Sequence, residues 1–258
     1  MISVIIYTSV TLIMEEQILK WYQQMGVNEI TDNEPGQLIK KLDIDNIKAQ
    51  TKYIGTDLVK KARSVANQCN TLEELRLAVE SFEGLSIKKT ANNTVFSDGN
   101  PKAEVMAIGE APGANEDEEG IPFCGVSGKL LDQVLLSVNL SRKENLYITN
   151  SLFWRPPGNR KPTEEENAVC LPFVEKHIAI IKPKLILLVG STSASALLKS
   201  NETISRLRNK LYQYKNDYME ESIPAAVIFH PSYLLRQPLQ KKTVWFDLLK
   251  IKNELLKR

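Results

Sequence analysis

The sequence is poor in the residues from which many sites are built. Its 258 residues include three cysteines and two histidines. Cys69, Cys124 and Cys170 have neither an even count nor the short paired spacing of a zinc or redox motif. That excludes a disulfide framework and fits a reducing cytoplasm. Charge of one sign is also lacking: 33 basic against 31 acidic residues leave a net +2, too little for a strong nonspecific grip on nucleic acid. The apolar stretch Met1–Met14 falls short of the ~20 residues that span a bilayer. It also has no basic leader or small-residue cleavage site, so neither a membrane span nor a signal peptide is expected. An upstream start, with Met14 opening the functional chain, accounts for it. No glycine-rich turn ends in GK[ST], which argues against a nucleotide-triphosphate cradle. Internal repeats and low-complexity tracts are absent.

What is present describes an ordinary soluble protein, 43% hydrophobic and 25% charged. Acids crowd Glu116 to Glu119, and Lys241, Lys242, Lys250, Lys252, Lys257 and Arg258 collect at the end, where they could meet phosphates. Residues 1–70 read as an N-terminal extension, with a short helix at Glu15–Met25 and a linker from about Thr31 to Thr71. Residues 71–258 read as the catalytic domain. It opens with an amphipathic helix, Leu72–Phe82, started by a Thr71/Glu74 capping box. From Phe96 onward, strand-like runs alternate with helical patterns. Strands are expected at Glu104–Gly109, Leu146–Thr149, Leu185–Val189 and Ala225–Phe229. Helices are expected at Gly128–Asn139, Thr163–Ile181, Ser193–Lys199 and Lys241–Leu256, the second opened by Pro162-Thr163 with Glu166 at capping-box spacing. This alternation predicts an α/β fold, a three-layer α/β/α sandwich around a four-stranded parallel sheet, with functional residues at the strands' carboxyl ends.

Three segments fall at such ends. Gly109-Glu110-Ala111-Pro112-Gly113-Ala114-Asn115-Glu116-Asp117, followed by Gly120-Ile121-Pro122-Phe123-Cys124-Gly125, puts carboxylates and an aromatic ring in one turn. Asn150 leads into Arg155-Pro156-Pro157-Gly158-Asn159-Arg160, and Phe229-His230-Pro231-Ser232-Tyr233-Leu234-Leu235-Arg236 follows the last strand. In this order and spacing the segments resemble the family 4 uracil-DNA glycosylases, over roughly Phe96 to Lys252. The resemblance implies hydrolysis of the N-glycosidic bond of uracil in DNA, leaving an abasic site for base excision repair.

Such chemistry needs a carboxylate near the sugar, donors on the departing base and a pocket that reads the base edge. The resemblance assigns Glu110 to the water or to the sugar's developing charge, with Glu116 as a second catalytic candidate. Ala111 stands in the pocket where other branches of the superfamily carry Asp. Phe123 would stack on the flipped uracil, Asn150 would read O4 and N3–H, and His230 would meet O2. Ser232, Leu234, Leu235 and Arg236 are candidates for DNA contact, with either leucine as the wedge that fills the gap left by the base. Arg155 and Arg160 are candidates for phosphate contact. His177, inside a long helix, is expected to be structural or exposed.

The chain departs from the family at its iron–sulfur cluster. The four ligand positions hold Phe82, Leu85, Trp154 and Cys170, three of which cannot ligate iron, so no cluster or other metal is expected. The loop after Asn150 lacks the histidine-bearing insertion of a DNA-trapping branch, and no lysine lies in the three motifs, which favours a monofunctional enzyme. A cytoplasmic monomer acting on DNA, with no membrane partner, follows from these readings. Two alternatives keep the scaffold: a non-catalytic DNA-binding or phage-type polymerase-associated module, and a glycosylase for hypoxanthine or xanthine.

Overall fold

Four apolar runs pair side by side because each is buried on both faces and cannot end a sheet. The computed structural model describes residues 44–255. The expected helix at Glu15–Met25, the apolar Met1–Met14, Lys257 and Arg258 lie outside the described residues. The chain divides into two units, Met1–Thr51 and Lys52–Arg258, and the second carries the sheet. The elements in order are α1 (Ile44–Gln68), α2 (Leu72–Ser81), α3 (Ser86–Thr90), β1 (Asp98–Gly99), β2 (Val105–Gly109), α4 (Ala114–Glu119), α5 (Val126–Leu136) and β3 (Leu146–Asn150). There follow α6 (Glu164–Ile181), β4 (Leu185–Val189), α7 (Ser191–Leu198), α8 (Ile204–Leu207), β5 (Leu211–Tyr214), β6 (Ile223–Ile228), α9 (Pro231–Arg236) and α10 (Gln240–Leu255).

The sheet order is β1-β3-β2-β4-β6-β5. The four central strands are the expected ones and are parallel. Two short edge strands, β1 and β5, pair antiparallel and extend the sheet to six. Sequence periodicity could not reveal them: Asp98-Gly99 is two residues long, and Leu211-Tyr212-Gln213-Tyr214 buries only Tyr214.

Alternation along each central strand divides the core. Met106, Ile108, Ile186, Leu188 and Val227 face one layer with Leu75, Val79, Phe173 and Ile178. Val105, Ala107, Ile148, Leu187 and Ile228 face the other, with Leu131, Leu135, Val244 and Leu248. Burial on both faces is why these strands read as continuous hydrophobic runs. Helix starts follow the predicted capping boxes. Thr71 and Glu74 exchange bonds at the start of α2, and Thr163 and Glu166 do so at α6.

The segment expected as a linker holds the 25-residue α1. Among its described side chains the buried ones are Ala62 and Ala66, with Leu58, Val59 and Val65 beside them and Cys69 buried just past its end. Small residues carry little hydrophobic signal, so mixed charge on the outer face hid the period. Polar side chains hold it as well: Arg63 pairs with Glu175 at 2.8 Å and Asp217 at 3.1 Å.

His177 is fully buried in α6. It stacks on Phe96 at 4.5 Å between ring centroids, and its Nε2 lies 2.7 Å from the Tyr147 hydroxyl, which also bonds Ser97. Its Nδ1 has no hydrogen-bond partner among the described residues. Burial, with the Arg76 charge nearby, pushes the imidazole from 6.5 down to about 3. The unfolded chain therefore binds a proton that the folded one refuses, and this contribution to stability is complete above pH 6.5 and declines toward pH 3. Urea unfolding should show wild type losing about 2 kcal/mol more than His177→Gln between ~pH 6.5 and ~pH 5, at ~1.4 kcal/mol per unit. Parallel curves would mean that His177 titrates normally in the fold.

Candidate active site

The sheet register brings two of the expected residues together. Gly109 ends β2 directly opposite Asn150, which ends β3. Pairing continues past the strands: Ser151 N–H donates to the Gly109 carbonyl at 2.9 Å and Leu152 N–H to the Glu110 carbonyl at 3.0 Å. The Ser151 hydroxyl donates to the same Glu110 carbonyl at 2.7 Å. The backbone of Glu110 is thus fixed before its side chain enters a cavity of about 740 Å³. Glu110, Ala111, Glu116, Phe123, Asn150, His230, Ser232, Arg236 and Arg160 all line this cavity.

Asn150 is 2% exposed, and its side-chain amide has no hydrogen-bond partner among the described residues. At the cavity wall its donor and acceptor are open to a ligand. Phe123 is held beside it in a left-handed conformation, φ 54°, which is strained for an aromatic residue. A clamp maintains that turn. The Arg142 guanidinium donates to the carbonyls of Pro122 and Phe123, each at 2.7 Å, and is itself fixed by Asp98 and Asp132. Space is kept open by Gly109, where a Cβ would lie 2.4 Å from both the Phe123 ring and Asn150 Oδ1.

His230 caps α9. Its Nδ1 accepts from the Ser232 backbone N–H at 3.2 Å, and the Ser232 hydroxyl is 2.8 Å away. A backbone N–H only donates, so Nδ1 carries the lone pair and the neutral ring carries its proton on Nε2. Burial pushes the imidazole below its ordinary value, outweighing the upward pull of Glu110. The His230 ring lies 5.8 Å from that of Phe123. Gly190, φ 101°, keeps room between the turn after β4 and His230, because a Cβ there would lie 3.1 Å from His230 Cβ.

The other candidates divide. Glu116, expected as a second catalytic carboxylate, is engaged elsewhere: its oxygens accept from the N–H groups of Gly113 and Gly125, both at 3.0 Å. It braces the motif turn. Leu234 is 2% exposed in the core, whereas Leu235 is 42% exposed beside it. Arg236 lines the cavity with no ion-pair partner among the described residues. Arg160 differs from expectation, because both its terminal nitrogens bind Glu166, at 2.8 and 2.6 Å. Arg155 bonds Asn159 at 2.7 Å and approaches Asp117 at 3.9 Å. The exposed Lys161 lines the cavity and makes no such pair.

Sequence reasoning missed Arg142, Lys161 and Thr192. The Thr192 hydroxyl donates to Glu110 Oε2 at 2.6 Å. Its one signal was a glycine turn after a predicted strand, Gly190-Ser191-Thr192, in the position where the other motifs lie.

Phe82, Leu85, Trp154 and Cys170 are all buried in the same layer of the hydrophobic core. Phe82 packs edge-on to Phe173 at 5.2 Å, and the Trp154 indole N–H donates to Thr94 at 3.0 Å. Burial pushes the Cys170 thiol up to about 12. One thiol and three hydrocarbon or indole groups cannot hold an iron–sulfur cluster, which takes four ligands. Among the described residues, no three His, Cys, Asp or Glu side chains gather as a metal site.

An open α/β sheet with a polar cavity at its strands' carboxyl ends, lined by carboxylate, amide, aromatic and imidazole groups, defines the class. The model of the uracil DNA glycosylase superfamily matches residues 96–249, and the chain belongs to that family. It is 36% identical over 188 residues to the type-4 uracil-DNA glycosylase of Sulfurisphaera tokodaii, covering 71% of this chain and 84% of the relative. Identity to the Saccharolobus solfataricus type-4 enzyme is 40% over 181 residues, 69% of this chain and 83% of the relative. For the Archaeoglobus fulgidus type-4 enzyme it is 35% over 185 residues, 70% and 92% respectively.

Arg142→Met should cost about 1–3 kcal/mol in chemical denaturation, since it strips two carbonyls and two carboxylates of their donor. A loss below ~0.5 kcal/mol, the range of ordinary surface changes, would show that the Phe123 turn holds itself.

Proposed function

We propose that this chain hydrolyses the N-glycosidic bond of uracil in DNA and leaves an abasic site. The observation that carries this reading is the Asn150 amide, which lines the cavity with Phe123 and Glu110 and makes no hydrogen bond to another described residue. A fixed amide accepts from N3–H and donates to O4 of uracil, whereas cytosine offers an amine and a bare ring nitrogen. A site built on such a bond rejects the base that cannot make it. Membership in the superfamily and the type-4 relatives support the same substrate.

The chemistry follows from the groups present. A base leaves the stack before its glycosidic bond can be reached. The Phe123 ring supplies a stacking face, worth ~1–3 kcal/mol per base. As the bond breaks, negative charge grows on the uracil and positive charge on the sugar. The neutral His230 directs Nε2–H at the base oxygen, and an N–H already in place stabilises the anion without reorganisation. The Glu110 carboxylate faces the sugar side, where it counters the developing cation and aligns water for attack at C1′.

Burial supports Leu235 as the wedge: Leu234 is part of the core, while Leu235 is free to enter the gap left by the base. Arg236 and Lys161 are the better phosphate ligands, because Arg160 already neutralises Glu166. Replacing Lys161 by Ala should therefore lower the salt dependence of DNA binding by more than Arg160→Ala does. Equal effects would count against this assignment.

The protein is proposed to work without an iron–sulfur cluster, the apolar packing of Phe82, Leu85 and Trp154 taking its place. Purified protein should contain no stoichiometric iron and melt at the same temperature with and without a chelator; four-iron content would overturn this. It is further proposed to act as a monomer in the cytoplasm. No helix among the described residues is long and apolar enough to cross a membrane.

Uracil-containing oligonucleotide should break only after alkali treatment, and free uracil should compete. Glu110→Gln and His230→Ala should each slow single-turnover release by at least ~100-fold. Gly109→Ala should do likewise by driving a methyl group into Phe123 and Asn150. Folded wild type that releases hypoxanthine or xanthine but not uracil would replace uracil as the substrate. Breakage without alkali would show a lyase.

A further inference from the structure

The turn after β4 enters the site from a strand to which no role has been given. Gly190 follows that strand with φ 101°, and α7 begins at Ser191. Ser191 lines the cavity, and Ser193 is fully buried with its hydroxyl bonded to the Gly190 carbonyl at 3.3 Å. Thr192 lies between them, half-buried and behind Glu110. Its hydroxyl donates to Glu110 Oε2 at 2.6 Å across 82 residues of sequence. No other side chain among the described residues hydrogen-bonds that carboxylate.

A glutamate has three side-chain torsions, and catalysis tolerates little error in the direction of its oxygens. The backbone bonds at Gly109 and Glu110 fix where the side chain starts, not where its carboxylate points. One short bond to Oε2 removes that freedom and leaves Oε1 for the cavity. Bonds to an ionised acceptor are roughly twice as strong as neutral ones. Thr192 is itself anchored, because α7 packs into the core through Ala194 and Leu197.

We propose that Thr192 is a positioning residue for Glu110, its hydroxyl holding the carboxylate in the orientation that serves the sugar. This rests on the uracil-excision reading given above. The test compares wild type, Thr192→Val and Thr192→Ser in single-turnover cleavage of a uracil oligonucleotide. Binding is measured in parallel, on the same oligonucleotide with a non-cleavable 2′-fluoro deoxyuridine, together with thermal midpoints. Val keeps the shape and removes the donor, whereas Ser keeps the donor and removes a methyl group. Thr192→Ala replaces Val in the comparison if the latter does not fold.

Loss of the bond should slow the chemical step by about ten- to a hundredfold, the range for a hydrogen bond to a charged group. Affinity and thermal midpoint should stay at wild-type values, and Thr192→Ser should recover most of the rate. Wild-type cleavage by folded Thr192→Val would overturn the inference and leave the glycosylase reading intact. So would a Ser variant as slow as Val, or a defect confined to binding. Inactive wild type would instead remove the reading on which the inference stands.

Discussion

The pairing of Gly109 with Asn150 across two parallel strands is the constraint on which the site depends. Both residues end their strands together, so an amide and a glutamate emerge from the same edge of the sheet. The missing side chain at Gly109 is part of that arrangement, because Phe123 and Asn150 Oδ1 approach within 2.4 Å of where a Cβ would stand. Parallel register, held by core strands buried on both faces, thereby sets how closely Asn150 and Phe123 approach at the cavity wall. The clamp from Arg142 then holds Phe123 in a backbone conformation it would not adopt unaided.

Charged and polar groups around the slot divide into those that build it and those left to act. Glu116 spends both oxygens on backbone amides, Arg142 both terminal nitrogens on carbonyls, and Arg160 its fork on Glu166. Each satisfies partners that would be costly to leave unpaired in a low-dielectric interior. The remaining groups, Glu110 Oε1, the Asn150 amide, His230 Nε2–H, Lys161 and Arg236, face the cavity with capacity in hand. A charge at the right sequence position is no guide to which group it joins.

The cluster of Phe82, Leu85, Trp154 and Cys170 illustrates a second division. All four positions are buried in one layer of the core, and three of them carry hydrocarbon or indole groups. Trp154 is held there by its burial and by the bond from its indole N–H to Thr94. The loop that follows carries Arg160 and Lys161 to the cavity rim.

The central sheet was legible in the sequence because continuous apolar runs bounded by glycine and polar turns leave few other structures open. So were the capping boxes at Thr71 and Thr163, whose signals span only three residues. The motifs at the strand ends were legible too, since the rule placing ligands there follows from α/β topology. Helix α1 was not, because a buried face of alanines differs little from a linker. Neither were the edge strands, which are too short to show a period. The burial of Leu234 and exposure of Leu235, the capture of Glu116 and Arg160 by local partners, and the reach of Thr192 to Glu110 were decided only by tertiary structure. Sequence determines which residues follow a strand; the distances that pair a hydroxyl with a carboxylate 82 positions away arise only when the strands are laid side by side.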